Sequence, residues 1–459
     1  MAPKVQGASI VSGPMSIPLP PLESATAGVG NLHALPDYPN AIPDRHLIMA
    51  TVGKLVLCLG FRLPYVFLTP ISKQLGTTIG HLGALMALGE LAGLLTGVIG
   101  RSLDRGNFRL WLTAGSASTI AGVATMGTAA TARVHEPILF ALGFAMTSVG
   151  VAWYTTAAHA WLGASVPYAQ RGQSMGRLET SWALAVLIGA PIFGLVISVF
   201  NVTTMFAGLT VVSTLNTFCV WSVFGRPASP VASPANGSTS SFDSAGGSSN
   251  DSRSVSSGVS SGTPEARALA KRIAAALVCS FVMSFGAICI FSVYGSWLTK
   301  NFGLSTKAVG FFSVFVGIAE LGASTMSSTK TDRWGKRRSV AGGCVVMFAG
   351  MVAIGFVPKV PILGVGVLVL MFVGFEFGYV SLLSVISEVG EHRKGTVLSF
   401  DHALSPISRA AAAAFATNLF DKHGVRPVTV AAGLAAIVAF TAIQLATPTV
   451  TPSSHFATT

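Results

Sequence analysis

Eight ionisable side chains lie inside long apolar stretches of this sequence, where charge is unusual. An ionised group at the depth of a bilayer costs at least about 2.5–3.5 kcal/mol, so it needs a partner, a water-filled cavity or a bound proton. Desolvation and a nearby cation shift a carboxyl pKa in opposite directions, so such a group can load and release a proton near neutral pH. The alternative is a set of fixed salt bridges between helices. The eight are Lys54, Arg62, Glu90, Glu179, Glu320, Glu376, Asp401 and Arg409.

The stretches that hold these residues have the length of membrane spans. Of the 459 residues, 51% are hydrophobic and 10% are charged, whereas charged residues make up about a quarter of a soluble domain. A helix of about 20 apolar residues crosses the hydrocarbon layer. We therefore predict an all-α integral membrane protein with twelve spans, near residues 46–69, 81–100, 110–131, 137–162, 174–199, 202–224, 268–297, 308–328, 339–357, 362–386, 396–419 and 427–447.

The polar segments divide the chain into two groups of six spans. Residues 1–45 and 448–459 are predicted to be tails, and the Ser- and Gly-rich segment 225–267 contains too little apolar surface to fold. This leaves six-helix units at 46–224 and 268–447. Lys and Arg are concentrated in the tails and in alternate loops, so the positive-inside rule places both termini in the cytosol.

Several other functions are disfavoured by the same composition. The net charge of +12 comes from basic clusters between apolar runs and not from one basic face, so nucleic-acid binding is not expected. No nucleotide-binding loop, cluster of metal ligands or Gly-x-Ser-x-Gly elbow occurs, so we expect neither an enzyme nor a resident metal or cofactor. The five cysteines lie in apolar stretches and are interpreted as small buried hydrophobic residues.

An internal repeat relates the two six-span units. The loop "GRSLDRGNFR" after span 2 is matched by "TKTDRWGKRR" after span 8, which pairs Asp104-Arg105 with Asp332-Arg333. Glu90 in span 2 corresponds to Glu320 in span 8, and acidic residues also recur in spans 5 and 11. A repeat with unchanged chain direction implies two bundles related by an axis along the membrane normal, with a central site between them.

These paired loops resemble the loop motif of the major facilitator superfamily, and the resemblance extends over residues 46–447. The segments "FRLPYVFLTPISKQLG" and "RLETSWALAVLIGAP" are similar to prokaryotic-type drug and sugar efflux permeases. The resemblance implies two pseudo-symmetric six-helix bundles. The segment "GAPIFG" in span 5 is similar to the Gly-Pro motif of proton-coupled antiporters, and it contains Gly189, Pro191 and Gly194.

The resemblance also assigns expected roles. Helices 1, 4, 7 and 10 of that fold line the central cavity, which makes Arg62 and Glu376 candidates for substrate binding or coupling. Aromatic residues of span 4 could stack on a planar or cationic substrate; with the candidate relay group they are Trp153, Tyr154 and His159. Helices 2, 5, 8 and 11 form the contact between bundles. The candidates for ion pairs between bundles are therefore Glu90, Glu179, Glu320, Asp401 and Arg409.

In the resembling family, the paired loops hold the cytosolic side closed. The gating-loop residues expected here are Gly100, Asp104, Arg105, Arg109, Asp332, Arg333, Gly335, Lys336 and Arg337. Pro removes a backbone donor and Gly removes side-chain bulk, so the span-5 motif is expected to kink that helix or to allow close contact between bundles.

The sequence therefore predicts a secondary active transporter that moves a small solute through a lipid bilayer by alternating access, as a monomer. A proton is the expected coupling ion, and antiport in the direction of efflux is favoured by the Gly-Pro motif. An uncoupled facilitator or a symporter of a sugar or metabolite is the first alternative. A receptor or scaffold that signals through the Ser-rich linker, without transport, is the second.

Overall fold

Helices joined by short connections form the described part of the chain. The computed structural model describes residues 44–131, 136–166, 168–224, 264–389 and 394–446, and it contains no strand over those residues. The predicted tails, apart from Asp44 and Arg45 at the start of the first helix, and nearly all of the predicted linker lie outside them.

The first six predicted spans become nine α-helices with two irregular segments. A 3₁₀ segment, Ala92–Ile99, continues α3 into α4, and a π-helical segment, Ala185–Gly189, joins α7 to α8. The helices are α1 Asp44–Val66, α2 Leu68–Gln74, α3 Ile79–Leu91, α4 Gly100–Asp104, α5 Phe108–Ala129, α6 Pro137–Ser165, α7 Tyr168–Leu184, α8 Ala190–Val199 and α9 Val202–Val223.

The last six predicted spans become seven helices. They are α10 Pro264–Phe291, α11 Tyr294–Phe302, α12 Thr306–Trp334, α13 Lys336–Phe356, α14 Pro361–Val389, α15 Lys394–His423 and α16 Val425–Ala446. Predicted spans 1 and 7 are both interrupted near their ends, between α1 and α2 and between α10 and α11. The internal repeat is therefore visible in the backbone as well as in the loops.

Ten helical stretches in the described residues are long and apolar enough to cross a membrane. The two remaining predicted spans correspond to α5 and α15, which have 22 and 30 residues but are not among those ten. Gly, Ser and Thr lower the hydropathy of α5, and α15 contains charged residues such as Asp401 and Arg409. The predicted count of twelve thus rests, for these two helices, on their length and their place in the fold.

Small residues let the helices within each bundle approach closely. A methyl group on Gly122 of α5 would lie 2.4 Å from the carbonyl oxygen of Gly143 in α6. In the second bundle, a methyl group on Gly374 of α14 would lie 2.3 Å from the backbone nitrogen of Met347 in α13. Lipid provides no hydrophobic drive between helices, so close backbone packing of this kind holds each bundle together.

The two bundles meet mainly over one half of their length. Helix α15 packs along α3 but has few contacts with the 3₁₀ segment that continues it, and α12 packs on α8 more than on α7. We call the end where α1 meets α2 and α10 meets α11 the closed end. There, Thr69 and Ser296 hydroxyls lie 2.9 Å apart across the bundles, and a methyl group on Gly295 would lie 2.0 Å from the Val66 carbonyl oxygen.

The opposite end, where α1 begins and α12 ends, is the open end. Few contacts join the bundles at this end, either between α15 and the 3₁₀ segment Ala92–Ile99 or between α12 and α7. The Glu179 side chain, between the two ends, is 43% exposed. Over the described residues, the gap between the bundles therefore opens toward this end.

Candidate functional site

Arg62 and Glu320 form a buried ion pair between the two bundles. Arg62 lies in α1 and donates two hydrogen bonds, of 2.7 and 2.8 Å, to the Glu320 carboxylate in α12. It also donates to the Trp182 carbonyl oxygen at 2.7 Å, and its guanidinium lies 4.5 Å from the centre of the Phe291 ring. Two parallel hydrogen bonds fix the geometry of such a pair as well as adding energy.

A second buried carboxylate, Glu90, is also held from the other bundle. The Arg409 Nε donates to Glu90 at 3.0 Å, and the Tyr65 hydroxyl donates to the other carboxylate oxygen at 3.1 Å. Arg409 also donates to the Ser405 hydroxyl one turn earlier in α15. Glu90 is 1% exposed, so protein groups replace the hydration of this carboxylate.

The internal repeat relates the acidic residues of the two pairs but not their basic partners. Glu90 and Glu320 occupy equivalent positions in α3 and α12, whereas their partners come from α1 and α15, which are not equivalent. Each pair joins one bundle to the other. Separation of the bundles at this depth would expose or break both pairs, so they can serve as discrete contacts of one conformational state.

Glu179 forms its ion pair inside the first bundle, which differs from the predicted contact between bundles. Its Oε1 lies 2.6 Å from Lys54 Nζ in α1 and 2.7 Å from His159 Nε2 in α6. The lysine is fully buried, while the carboxylate faces the gap and is partly exposed. The basic partner on the neighbouring α1 explains the difference, because it satisfies Glu179 without the second bundle.

Glu376 lies at the centre without a cation in ion-pair contact among the described residues. It accepts a hydrogen bond from the Ser324 hydroxyl of α12. Arg62, Glu320 and Glu179 are within electrostatic range. The carboxylate is half-buried. Because it interacts electrostatically with Arg62 and Glu179 of the first bundle, it faces the boundary between the bundles.

Asp401 is the second such carboxylate, and it too departs from the predicted contact between bundles. It is 3% exposed and lies close to Ser280 within the second bundle. Tyr379 lies close to Ser280 and Ser284 beside it. The neighbouring His402 is exposed to the gap and lies within electrostatic range of the His159–Glu179 group.

The predicted aromatic lining of span 4 is found only in part. Tyr154 is fully buried and donates to the Ala50 carbonyl oxygen at 3.1 Å, so it packs α6 on α1 and does not line the gap. Trp153 packs edge-on against Trp111 of α5 and donates to the Leu95 carbonyl oxygen. Of the three predicted residues, His159 is the one that joins the charged centre.

The first predicted gating loop lies at the open end. Asp104 and Arg105 are exposed and form no ion pair within the described part of the chain. The Arg109 guanidinium lies 4.9 Å from the centre of the Trp221 ring of its own bundle. Gly100 has open space around it.

The second loop is tied to its own bundle. Gly335 has φ = 85°, which suits glycine, and it makes the turn between α12 and α13. Lys336 pairs with Glu388 and lies 4.0 Å from Asp332. Arg337 donates to the Gln444 side chain. None of these contacts crosses to the first bundle, so the expected lock is absent from the described residues in this state.

The predicted Gly-Pro motif lies where the bundles touch near the closed end. Pro191 is in the first turn of α8, directly after the π-helical segment. A methyl group on Gly194 would lie 3.1 Å from Gly310 of α12, and one on Gly189 would lie 2.2 Å from the Leu59 side chain. The motif thus combines an irregular helix with close contact between bundles.

Several central residues escaped the sequence analysis. His402 is adjacent to Asp401, and this adjacency was the available signal. Tyr65, Trp182 and Ser324 carry no charge and resemble ordinary packing residues in sequence. Among the described residues, no group of three or more His, Cys, Asp or Glu side chains could hold a metal ion, and the cysteines are free.

Comparison with known proteins agrees with this architecture. Residues 50–413 match the family model of the Major Facilitator Superfamily. A 67-residue stretch is 34% identical to the uncharacterized MFS-type transporter YwfA of Bacillus subtilis (strain 168), covering 15% of this chain and 16% of that protein. The crystal structure of a D-xylose-proton symporter aligns with a TM-score of 0.66 at 14% identity, over 88% of this chain and 97% of the symporter.

Proposed function

The chain belongs to the Major Facilitator Superfamily of membrane transporters, and from that premise we propose that it is a secondary active transporter of a small solute. It is a carrier and not an enzyme, works by alternating access, acts as a monomer and couples transport to protons. Efflux by antiport is the favoured direction.

The two ion pairs between bundles support alternating access. Arg62–Glu320 and Arg409–Glu90 join the bundles at mid-depth, while packing at the closed end shields them from one side. A buried pair is strong only while water is excluded and its geometry holds. Rocking of the bundles that opens the closed end would weaken both pairs, so their energy helps to set the balance between two states.

Proton coupling is supported most by Glu376, the single observation that carries the proposal. This carboxylate faces the boundary between the bundles and accepts a hydrogen bond from Ser324, but it has no cation in contact among the described residues. A carboxylate at membrane depth without a cation is compensated by water or by a proton. Water reaches it in the open state, and a proton can replace that water when the site closes.

Orientation and direction are assigned from charge and motif. The positive-inside rule places both termini and the open end in the cytosol. The Gly-Pro motif favours antiport. The likeness to a D-xylose-proton symporter, at 14% identity, bears on the fold and leaves the direction to be measured.

Proteoliposomes with an imposed pH gradient test the proposal. A ligand is first identified by thermal-shift screening of a metabolite and drug panel, because a ligand stabilises the state that it binds. Transport of that ligand should depend on the pH gradient, and this dependence should be lost in Glu376→Gln. Glu388→Gln is the matched control, since this glutamate lies at a helix end and pairs with Lys336. Transport that ignores the gradient in the wild-type protein would establish the uncoupled facilitator.

The same assay separates the receptor or scaffold alternative. Deletion of residues 230–262 removes most of the Ser-rich segment. A transporter keeps its transport activity after this deletion. A scaffold that signals through this segment shows no transport before the deletion and loses its signal after it.

A further inference from the structure

A groove between α12, α13 and α14 at the open end has the features of a ligand site, and one of its lining residues, Arg333, also belongs to the predicted gating loop. Its volume is about 530 Å³. Arg333, Trp334, Arg338 and Ser339 line it where α12 ends and α13 begins. Trp334 is 51% exposed. We call this the α12–α13 groove.

The polar groups of this groove lack protein partners. Arg333 and Arg338 are exposed and form no ion pair within the described ranges. Ser339 is 2% exposed, yet its hydroxyl has no hydrogen-bond partner there. A buried polar group without a partner is costly. A ligand with acceptor oxygens would satisfy all three groups.

The other basic residues of the same turn show that this arrangement is selective. Lys336 is engaged by Glu388, and Arg337 by Gln444. The two arginines that face no acidic residue are the two that line the groove. Ser339 lies in the first turn of the 21-residue helix α13, whose N-terminus favours an anion.

The remainder of the groove is apolar. Gly342 has no neighbouring atom within 4 Å of the position that a side chain would take, which leaves a hollow beside Val346 and Phe377. Met326, which also lines the groove, is an exposed apolar side chain. A free phosphate would fill the basic end and leave this hollow empty. A phospholipid fills both parts, because its headgroup phosphate and its acyl chain are covalently joined.

We propose that the α12–α13 groove binds an anionic phospholipid from the bilayer. Arg333, Arg338 and the Ser339 hydroxyl hold the phosphate, Trp334 lies at the interface, and an acyl chain enters the apolar part. Helix ends at the membrane surface with Arg and Trp are suited to this role. The proposal does not depend on the transported solute or on proton coupling.

Thermal unfolding of the purified full chain in detergent tests the site with three probes: dioctanoyl phosphatidylglycerol, dioctanoyl phosphatidylcholine and inorganic phosphate. Phosphatidylglycerol is expected to raise the melting temperature more than the other two. Arg333→Gln/Arg338→Gln should weaken its apparent affinity by about tenfold or more, and Ser339→Ala should weaken it less. Lys330→Gln, on the same helix but outside the groove, and Arg426→Gln, on α16, should bind like the wild type.

Each other outcome overturns the proposal. Equal protection by phosphatidylcholine removes the role of negative charge, and equal protection by inorganic phosphate replaces the lipid with a soluble ion. An unchanged affinity in the double arginine variant places the lipid elsewhere. If that variant does not fold, quenching of tryptophan fluorescence by dibrominated phosphatidylglycerol, compared between the wild type and Trp334→Phe, locates the lipid. Identical quenching in both contradicts the assignment.

Discussion

The Arg62 guanidinium and the Glu320 carboxylate meet across the boundary between the bundles through hydrogen bonds of 2.7 and 2.8 Å. They are 258 positions apart in sequence and are both buried. Both charges are shielded from solvent in this conformation, so each depends on the position of the opposite bundle.

Removal of one partner of this pair should destabilise the protein more than removal of both. Glu320→Gln or Arg62→Met leaves an uncompensated buried charge, which costs about 3–5 kcal/mol. The double variant leaves none, so its melting temperature should exceed that of at least one single variant. The exposed Lys336–Glu388 pair is the control, and Glu388→Gln should cost about 1 kcal/mol or less. Additive losses in the double variant would count against coupling of the two residues.

Weakening of the Glu90 contacts should open the closed end more often. Ser296 is fully buried there, and a cysteine at this position reports opening through its reaction with a water-soluble maleimide. Glu90→Gln removes the charge that Arg409 holds, and each 1.4 kcal/mol of lost bias raises the open fraction by about tenfold. Tyr65→Phe keeps the ion pair and should give a smaller rise. Labelling as slow as in the Ser296→Cys parent would show that this pair does not bias the conformation.

Two glycines of α12 should respond in opposite ways to the same substitution. A methyl group on Gly317 would lie 2.7 Å from Leu187 Cβ in the other bundle, whereas Gly322 has no atom within 4 Å. Gly317→Ala should therefore destabilise the closed packing by about 1–3 kcal/mol. Gly322→Ala should be neutral or stabilising by up to about 1 kcal/mol, since alanine favours a helix. Melting temperatures provide the comparison, and equal effects would contradict the close contact.

The Lys54–Glu179 pair should be asymmetric in its energetics. Lys54 is fully buried, while the Glu179 side chain is 43% exposed and also contacts His159. Glu179→Gln leaves a buried cation and should lower the melting temperature more than Lys54→Met, which leaves an anion that water can reach. The reverse order would show that Glu179 does not hold Lys54 in this position.

The architecture was predictable because it depends on length, hydropathy and the repeat. Runs of about 20 apolar residues specify spans, and the matched positions of Glu90 and Glu320 identify the two halves. Hydropathy alone misses α5 and α15, because hydroxyl groups, glycines and charged residues lower the mean hydropathy of these two helices.

The partners of the charged residues were not predictable from position alone. Glu90 and Glu320 were expected to join the bundles, as they do here, whereas Glu179 pairs with Lys54 in its own bundle and Asp401 lies beside Ser280 in its own. A side chain at the edge of a helix face can contact either of two neighbouring helices, and the sequence does not say which one. Tyr154 shows this as well. It packs against α1, whereas the preceding residue, Trp153, packs against α5, because successive residues of a helix point in different directions.

The central claim, that the bundles must part at the closed end during transport, is tested most directly by a reversible cross-link. The Thr69 and Ser296 hydroxyls lie 2.9 Å apart across the bundles, so Thr69→Cys/Ser296→Cys can form a disulfide, in a background where the exposed Cys219 is replaced by serine. We predict that oxidation abolishes transport of the screened ligand in proteoliposomes, that reduction restores it, and that neither single variant responds. Full transport with the cross-link complete would contradict alternating access at this end.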